Sequence, residues 1–343
     1  MSMPQMTGKG LCKKWEDSNS LPDRGFVDNV ECVHRIGASC RQLSMSQSTS
    51  SWAIEDDGSA RVLTIGDRRF RTNYSRNIIE LLITRKGPER ASQFLVHQAE
   101  RCWFLKPLFD RLNTEHRQLR VLEVGCSAGH LTEFLNEQPS IGEIYAFDVD
   151  TAMVDVARLK REELNLSKVK RIDHFTVRAT QSLPYENDFF DVVIAAAIVE
   201  HLPYEGRHAY VDEYYRVLRV GGFIGFWDTP NRYYPFESHS IGLPLISLLP
   251  PQIAYAYARL LKTKMKDVSF PLFVRAGTGW RNSSYYELLP KSLMIDVADL
   301  SQEFGYQSGC GRFCRLIAKM LRVPAAFFTP RLNVVFRKVR QYE

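Results

Sequence analysis

The sequence lacks what a secreted, membrane-spanning or zinc-bound protein requires. Its seven cysteines (Cys12, Cys32, Cys40, Cys102, Cys126, Cys310, Cys314) are scattered and odd in number, with no C-x-x-C pair. Cys310 and Cys314 stand four apart, but no second pair or nearby histidine completes a zinc set. Reduced thiols in an intracellular protein are the expected state. The first thirty residues lack an apolar core, which predicts no signal peptide and a cytoplasmic location. The stretch IGLPLISLLPPQIAYAYARLL (241–261) carries one charge, but Pro244, Pro250 and Pro251 break it. It is read as short apolar helices and not as a span.

Acidic residues are scarce at the C-terminal end. Residues 311–343 hold eight Lys/Arg against Glu343, which leaves 37 basic and 38 acidic residues elsewhere. The net charge of +6 therefore belongs to the tail and not to the body. A basic tail fits nucleic acid. However, RFCRLIAKMLRVPAAFF interleaves its cations with apolar residues, as an amphipathic helix does when it packs on a sheet or touches anionic lipid. Packing is the preferred reading, with peripheral membrane contact left open and no nucleic-acid partner expected.

At 343 residues, 45% hydrophobic and 24% charged, the chain can bury a full globular core. Residues 1–55 are polar and without period and read as a flexible arm. Residues 56–115 read as an N-terminal cap, mostly helical, with a strand or two in RVLTIGDRRFRTN (61–73). From residue 116 onward, short apolar runs alternate with helical stretches. RVLEV, EIYAF, DHFTV, DVVIAAA and FIGFWD are the runs; GHLTEFLNE, TAMVDVARLKREEL and GRHAYVDEYYRVLR lie among them. That rhythm predicts an α/β fold: a Rossmann-like, seven-stranded, mostly parallel sheet with helices on both faces. An insertion at about 230–300 interrupts it after the fifth strand. A helix near 292–304, a strand near Tyr306 and the strand LNVVFRK (332–338) are expected to complete the 116–343 domain.

A strand, a small-residue turn and a helix start in VLEVGCSAGH (121–130) make a cradle for a nucleotide-like ligand. The dinucleotide fingerprint G-x-G-x-x-G is absent, since Gly125 and Gly129 stand four apart with Ser127 between. E-V-G-C-S-A-G instead resembles the first motif of class I S-adenosylmethionine-dependent methyltransferases, usually E-x-G-x-G-x-G, and in particular the small-molecule enzymes of the ubiquinone-biosynthesis type. IYAFDVDTAMVDVAR resembles the family's second strand, FDVVIAAAIVEHLP its fourth, and RVLRVGGFIGF the helix, glycine pair and fifth strand that follow.

The resemblance implies S-adenosylmethionine as cofactor and S-adenosylhomocysteine as product. It implies cofactor contacts from Glu123, Gly125, Cys126, Ser127, Gly129, Asp148, Val149, Ala179, Thr180 and Ala196, with Asp148 on the ribose and the backbone at Gly125–Gly129 bared for the methionine part. The acid that often follows the third strand in this family is replaced by Ala179, and Thr180 or Gln181 is expected to substitute.

The acceptor site of an open α/β sheet lies beyond the strands' carboxyl ends. His201, after the fourth strand, and Asp228, ending the fifth, are the candidate catalytic pair: a base near neutral pKa and a carboxylate that orients it. The polar-aromatic stretch DTPNRYYPFESHS offers Asn231, Arg232, Tyr233, Glu237 and His239 as acceptor-binding residues. No metal is expected, because nothing in the sequence fixes Asp228, Glu237 and His239 relative to one another. The N-P-P-Y turn of amide and adenine methyltransferases and the Pro-Cys of cytosine chemistry are both missing. The resulting expectation is methyl transfer to a small molecule, at a hydroxyl of a natural product, sugar or lipid-linked intermediate. A nucleic-acid or protein methyltransferase and an inactive methyltransferase-like binding module are the competing readings.

Overall fold

The computed structural model describes residues 51–95, 102, 105–114, 118–237, 239–275, 282–292, 294–304, 311–323 and 325–341. The arm up to residue 50 lies outside these, as does Tyr306. The first strand opens at Trp52, inside the segment read as arm.

The N-terminal cap is a sheet as much as a set of helices. β1 (Trp52–Asp57), β2 (Ala60–Ile65) and β3 (Arg68–Thr72) form an antiparallel meander. Two-residue hairpins connect them, each with a glycine of positive φ, Gly58 (65°) or Gly66 (59°), the backbone that a tight hairpin demands. Helix α1 (Arg76–Lys86) follows, with Ser75 capping the Ile78 amide. Ile78, Ile79 and Leu82 of α1 pack with Leu63 and Ile65 of the meander, and the same cluster includes Ala128, Met153 and Val156. The cap thus leans on the glycine turn and on the helix after the second central strand. A further helix, α2 (Lys106–Asn113), precedes the main sheet.

The main sheet comprises β4 (Leu119–Val124), β5 (Ile141–Asp148), β6 (Val169–His174), β7 (Phe190–Ala196), β8 (Leu218–Pro230), β9 (Ile295–Asp299) and β10 (Arg331–Gln341). Their order is β6-β5-β4-β7-β8-β10-β9, with β10 antiparallel to both neighbours and β4 to β8 parallel. Helices α3 (His130–Glu137), α4 (Thr151–Glu163) and α5 (Arg207–Val217) make the crossovers. Both faces are covered, as a parallel sheet requires. Val192 and Ile194 face a core with Leu135 and Val154, while Val193 and Ala195 face one with Tyr210 and Tyr214.

Two expectations near the C-terminus change. Residues 295–299 are a strand and not part of a helix, because β10 offers Ile295–Asp299 a full antiparallel partner. A single helical turn, Ser301–Phe304, follows it. The insertion includes helix α6 (Pro251–Leu261). The tail begins with helix α7 (Gly311–Leu321), in which Ala318 is buried and Ile317 half-buried while Leu316, Met320 and Leu321 are exposed. Among the described residues no helix is long and apolar enough to cross a membrane.

Candidate functional site

Three adjacent strands, β4, β7 and β8, run into left-handed backbone at non-glycine residues: Ser127 (φ 46°), Ala197 (φ 54°) and Asp228 (φ 55°). Each such residue costs about 1 kcal/mol or more, and such strain gathers where backbone is aimed for function. The Ala197 amide donates to Trp227 O at 2.8 Å, tying two of these ends together. The chain leaves β4 toward β5 and β6 on one side, while β7 and β8 lie on the other. The crevice at that switch point is where an open α/β sheet takes its ligand.

On the β4–β5 side the turn is tightly held. The amides of Gly125 and Cys126 both donate to Phe147 O at 2.9 Å, and that of Ser127 donates to Asp148 Oδ2 at 2.7 Å. Asp148 Oδ1 accepts from the Asp150 amide at 2.8 Å. Each carboxylate oxygen has a second lone pair, so ribose hydroxyls can still be accepted. α3 starts behind Gly129 (φ 78°) without a side-chain cap, which leaves its first amides to an anionic group.

The glycines themselves serve packing. A Cβ on Gly125 would lie 2.0 Å from Ile198 Cδ1, and one on Gly129 would lie 3.2 Å from Ala157 Cβ. Both positions thus have protein neighbours that favour glycine, in addition to the bare backbone expected for a ligand.

The other residues expected around the cofactor divide by what they present. Cys126 is buried, its thiol pushed up by burial, and only its backbone belongs to the turn. Glu123 lies beneath the turn, accepts from Thr132 Oγ1 at 2.6 Å, and is raised to about 8 by burial, with Asp148 and Glu133 adding to the effect. Val149 and Ala196 are half-buried at the ends of β5 and β7. Thr180 is buried and its hydroxyl donates to Val177 O at 2.7 Å. The Ala179 amide is likewise turned onto Thr176 Oγ1 at 3.3 Å, although Ala179 itself is exposed.

On the β7–β8 side, His201 ends a single 3-10 turn, Val199–His201, with its amide on Ile198 O. Beside it stands Glu200, which the sequence reading passed over. Its side chain is 0% exposed, and neither carboxylate oxygen accepts a hydrogen bond. Burial raises its carboxyl to about 8. His239 arrives from the insertion with its ring centroid 6.0 Å from that of His201. One donor atom each from Glu200, His201 and His239 lie within 4.8 Å of one another. Burial lowers the His239 pKa, favouring the neutral imidazole.

Other predicted positions carry structural loads. Asp228 is ion-paired through Oδ1 with Arg331 at 2.5 Å. Asn231 is buried, donating to Thr329 O at 2.8 Å and accepting from the Tyr233 amide at 3.0 Å. Glu237 accepts four backbone amides, those of His239, Ser240, Ile241 and Gly242, at 2.6 to 2.9 Å. Both organise the insertion, and Glu237 thereby places His239. Arg232 and Tyr233 do line a cleft of about 350 Å³, with Tyr204, Leu248 and Pro250. Arg232 sits 5.1 Å over the Tyr204 ring and pairs with Glu287, which also holds the buried Arg207.

The sequence model of a family described as "Methyltransferase domain" matches residues 121–222, which span β4 to the start of β8 and include every element of the turn, Asp148 and His201. Residues 121–222 are a methyltransferase domain. The matched family is described as a methyltransferase domain and nothing finer. A mitochondrial ubiquinone biosynthesis O-methyltransferase of Candida albicans is 29% identical over 134 residues, 38% of this chain and 39% of that protein. An uncharacterized protein of Haemophilus influenzae is 27% identical over 107 residues, 31% of this chain and 40% of its own length. The chain thus spans about two fifths of the curated relatives it matches. Among solved structures, a SAM-dependent methyltransferase from Aquifex aeolicus is 21% identical, with 46% of this chain and 81% of that chain covered and a TM-score of 0.33. The YcgJ protein of Bacillus subtilis is 16% identical, with 68% and 95% covered and a TM-score of 0.34.

The methyltransferase domain fits its cofactor on its own geometry. The uncapped start of α3 suits the methionine carboxylate, Asp148 places a carboxylate at the end of β5 where a ribose would lie, and Glu123 is a buried acid beneath the turn.

Proposed function

We propose that this protein methylates an oxygen of a small-molecule acceptor held beyond the carboxyl ends of β7 and β8. The observation that supports it is the cluster at the switch point, where Glu200, His201 and His239 converge just across the crevice from the glycine turn. When bound, S-adenosylmethionine supplies a methyl group on a positively charged sulfur. The turn and Asp148 hold and orient it, the cleft at Arg232 and Tyr233 holds the acceptor, and His201 takes the hydroxyl proton as the oxygen–carbon bond forms. Glu200 acts on His201 and does not itself meet the acceptor, being fully buried. The relative from Candida albicans is named as an O-methyltransferase, in keeping with an oxygen acceptor. Incubation with labelled S-adenosylmethionine and a panel of phenolic, sugar and lipid-linked hydroxyl compounds tests the reading; label on amines or on no compound, with cofactor binding intact, would refute it.

One observation favours a second reading of the same cluster. A buried carboxylate without hydrogen-bond donors beside two imidazoles has the composition of a divalent-metal site. Metal titration followed by calorimetry separates the readings, because a base needs no cation.

A further inference from the structure

Helix α6 is built inside out. Its buried residues are Ala254 and Ala258, while Ile253, Leu260 and Leu261 are 55%, 79% and 54% exposed. Ile253, Ala256 and Leu260 fall at i, i+3 and i+7 and share the outward face. The insertion's own core, with Ile246, Met265 and Phe273, takes Ala254 and Ala258 fully and the rings of Tyr255 and Tyr257 in part, which leaves Ile253, Leu260 and Leu261 outside it. Leu245 and Leu248, just before α6, are also half exposed.

Charge around this face is one-sided. Residues 241–275 contain Arg259, Lys262, Lys264, Lys266 and Arg275 against the single acid Asp267. Arg259 and Lys266 are exposed, and Lys262 is partly so. A second copy of the chain would bring like charges together across a two-fold interface, which opposes self-association. An anionic lipid surface complements both features, taking the leucines into its headgroup boundary and the cations against its phosphates.

We infer that the exposed face of α6, flanked by Arg259, Lys262 and Lys266, docks on an anionic lipid bilayer. The cleft lined by Tyr204, Arg232, Leu248 and Pro250 reaches Pro251, the first residue of this helix, and its Leu248 is half exposed. Resting on the proposed methyl transfer, the acceptor is then an amphipathic molecule that enters from the membrane, its polar hydroxyl end leading.

The test uses the full chain with vesicles of phosphatidylcholine alone and of phosphatidylcholine with 30% phosphatidylglycerol, without methyl donor or acceptor. Docking is thereby judged apart from catalysis. Co-sedimentation is expected with the anionic vesicles only, weakening with salt. Lys262→Glu with Lys266→Glu should lower partitioning by about twenty-five-fold or more, from about fivefold per lost cation. Leu260→Ser with Leu261→Ser should lower it about as far, with thermal melting and cofactor affinity unchanged in both variants. No sedimentation, or equal sedimentation with neutral vesicles, overturns the inference. So does a concentration-dependent doubling of mass in light scattering that the leucine variant abolishes, since that assigns the face to a second copy.

Discussion

The backbone amide of Ser127 donates to Asp148 Oδ2 across 2.7 Å, so the acid that ends β5 also braces the turn that ends β4. Asp148→Ala therefore removes two things, a proposed ribose acceptor and the brace. Binding of S-adenosylmethionine should weaken tenfold or more, about 1.4 kcal/mol, and the melting temperature should fall as well. Calorimetry showing unchanged affinity in the folded variant would take Asp148 out of the site. Ser127→Gly separates the two effects: it relieves the positive φ and keeps the amide, so stability should hold or rise by about 0.5–1 kcal/mol with affinity retained.

Gly125 and Ile198 make a second testable pair. Gly125→Ala places a methyl 2.0 Å from Ile198 Cδ1 at a backbone φ of 72°, so it should cost at least about 2 kcal/mol. Trimming Ile198→Ala in the same chain should return the steric part but not the backbone part. Chemical denaturation of the four-member cycle measures this, and additive costs would show that the overlap is relieved some other way.

β10 is an interior strand of the sheet, between β8 and β9, with Leu332, Val334, Val335 and Phe336 fully buried. Lys338 is buried with them and donates to Tyr215 O and Leu218 O. Removing residues 311–343 should therefore strip β8 of a partner, detach β9 and lower the melting temperature of the whole domain by many degrees. A truncated chain that melts like the full one would place the tail outside the fold's cooperative unit.

What could be read from the sequence follows from how local each signal is. The glycine turn, the alternation of strands and helices and the acid at Asp148 lie within short windows and could be read from them, whereas the order of the strands is set by pairing between distant segments. β9 was misread because its pattern is short and its partner, β10, lies some 35 residues away in the chain. That Asn231 and Glu237 also hold the insertion's own backbone was not legible, because polarity in a loop does not say which partners it faces. Glu200 was overlooked because only three dimensions bring His239 to it, and burial without a hydrogen-bond partner leaves no mark in composition.

Glu200 gives a pH signature. Its carboxyl is raised from about 4.5 to about 8, so the folded state keeps a proton that the unfolded chain releases between those values. The associated stability is present below pH 4.5 and is lost as pH rises through 8. Glu200→Gln removes that loss, so the variant should gain on the wild type between pH 5.5 and 8.5, by on the order of 3 kcal/mol or several degrees. Glu123 shifts the same way and leaves a residual slope. Parallel melting curves for the two proteins across this range would show that Glu200 is ionised without penalty.

His201 carries the riskiest expectation. On the proposed reading His201, in the turn after β7, serves the acceptor and not the cofactor, so His201→Ala should leave cofactor affinity nearly unchanged. Turnover should fall by about 10² to 10⁴, as for a lost general base. The deficit should narrow at high pH, where a hydroxyl acceptor ionises unaided. Asp228 is held by Arg331, so Asp228→Asn should cost less turnover than His201→Ala and more stability than its exposure suggests. His239→Ala sharpens the assignment. If His201 works as a base, removing His239 should alter the pH profile but not create a metal requirement. A wild-type enzyme silenced by chelation and restored by a divalent cation, with His201 and His239 variants equally unable to recover, would move the cluster from base to metal site. Near-normal turnover in His201→Ala at neutral pH would leave proximity alone to drive the transfer.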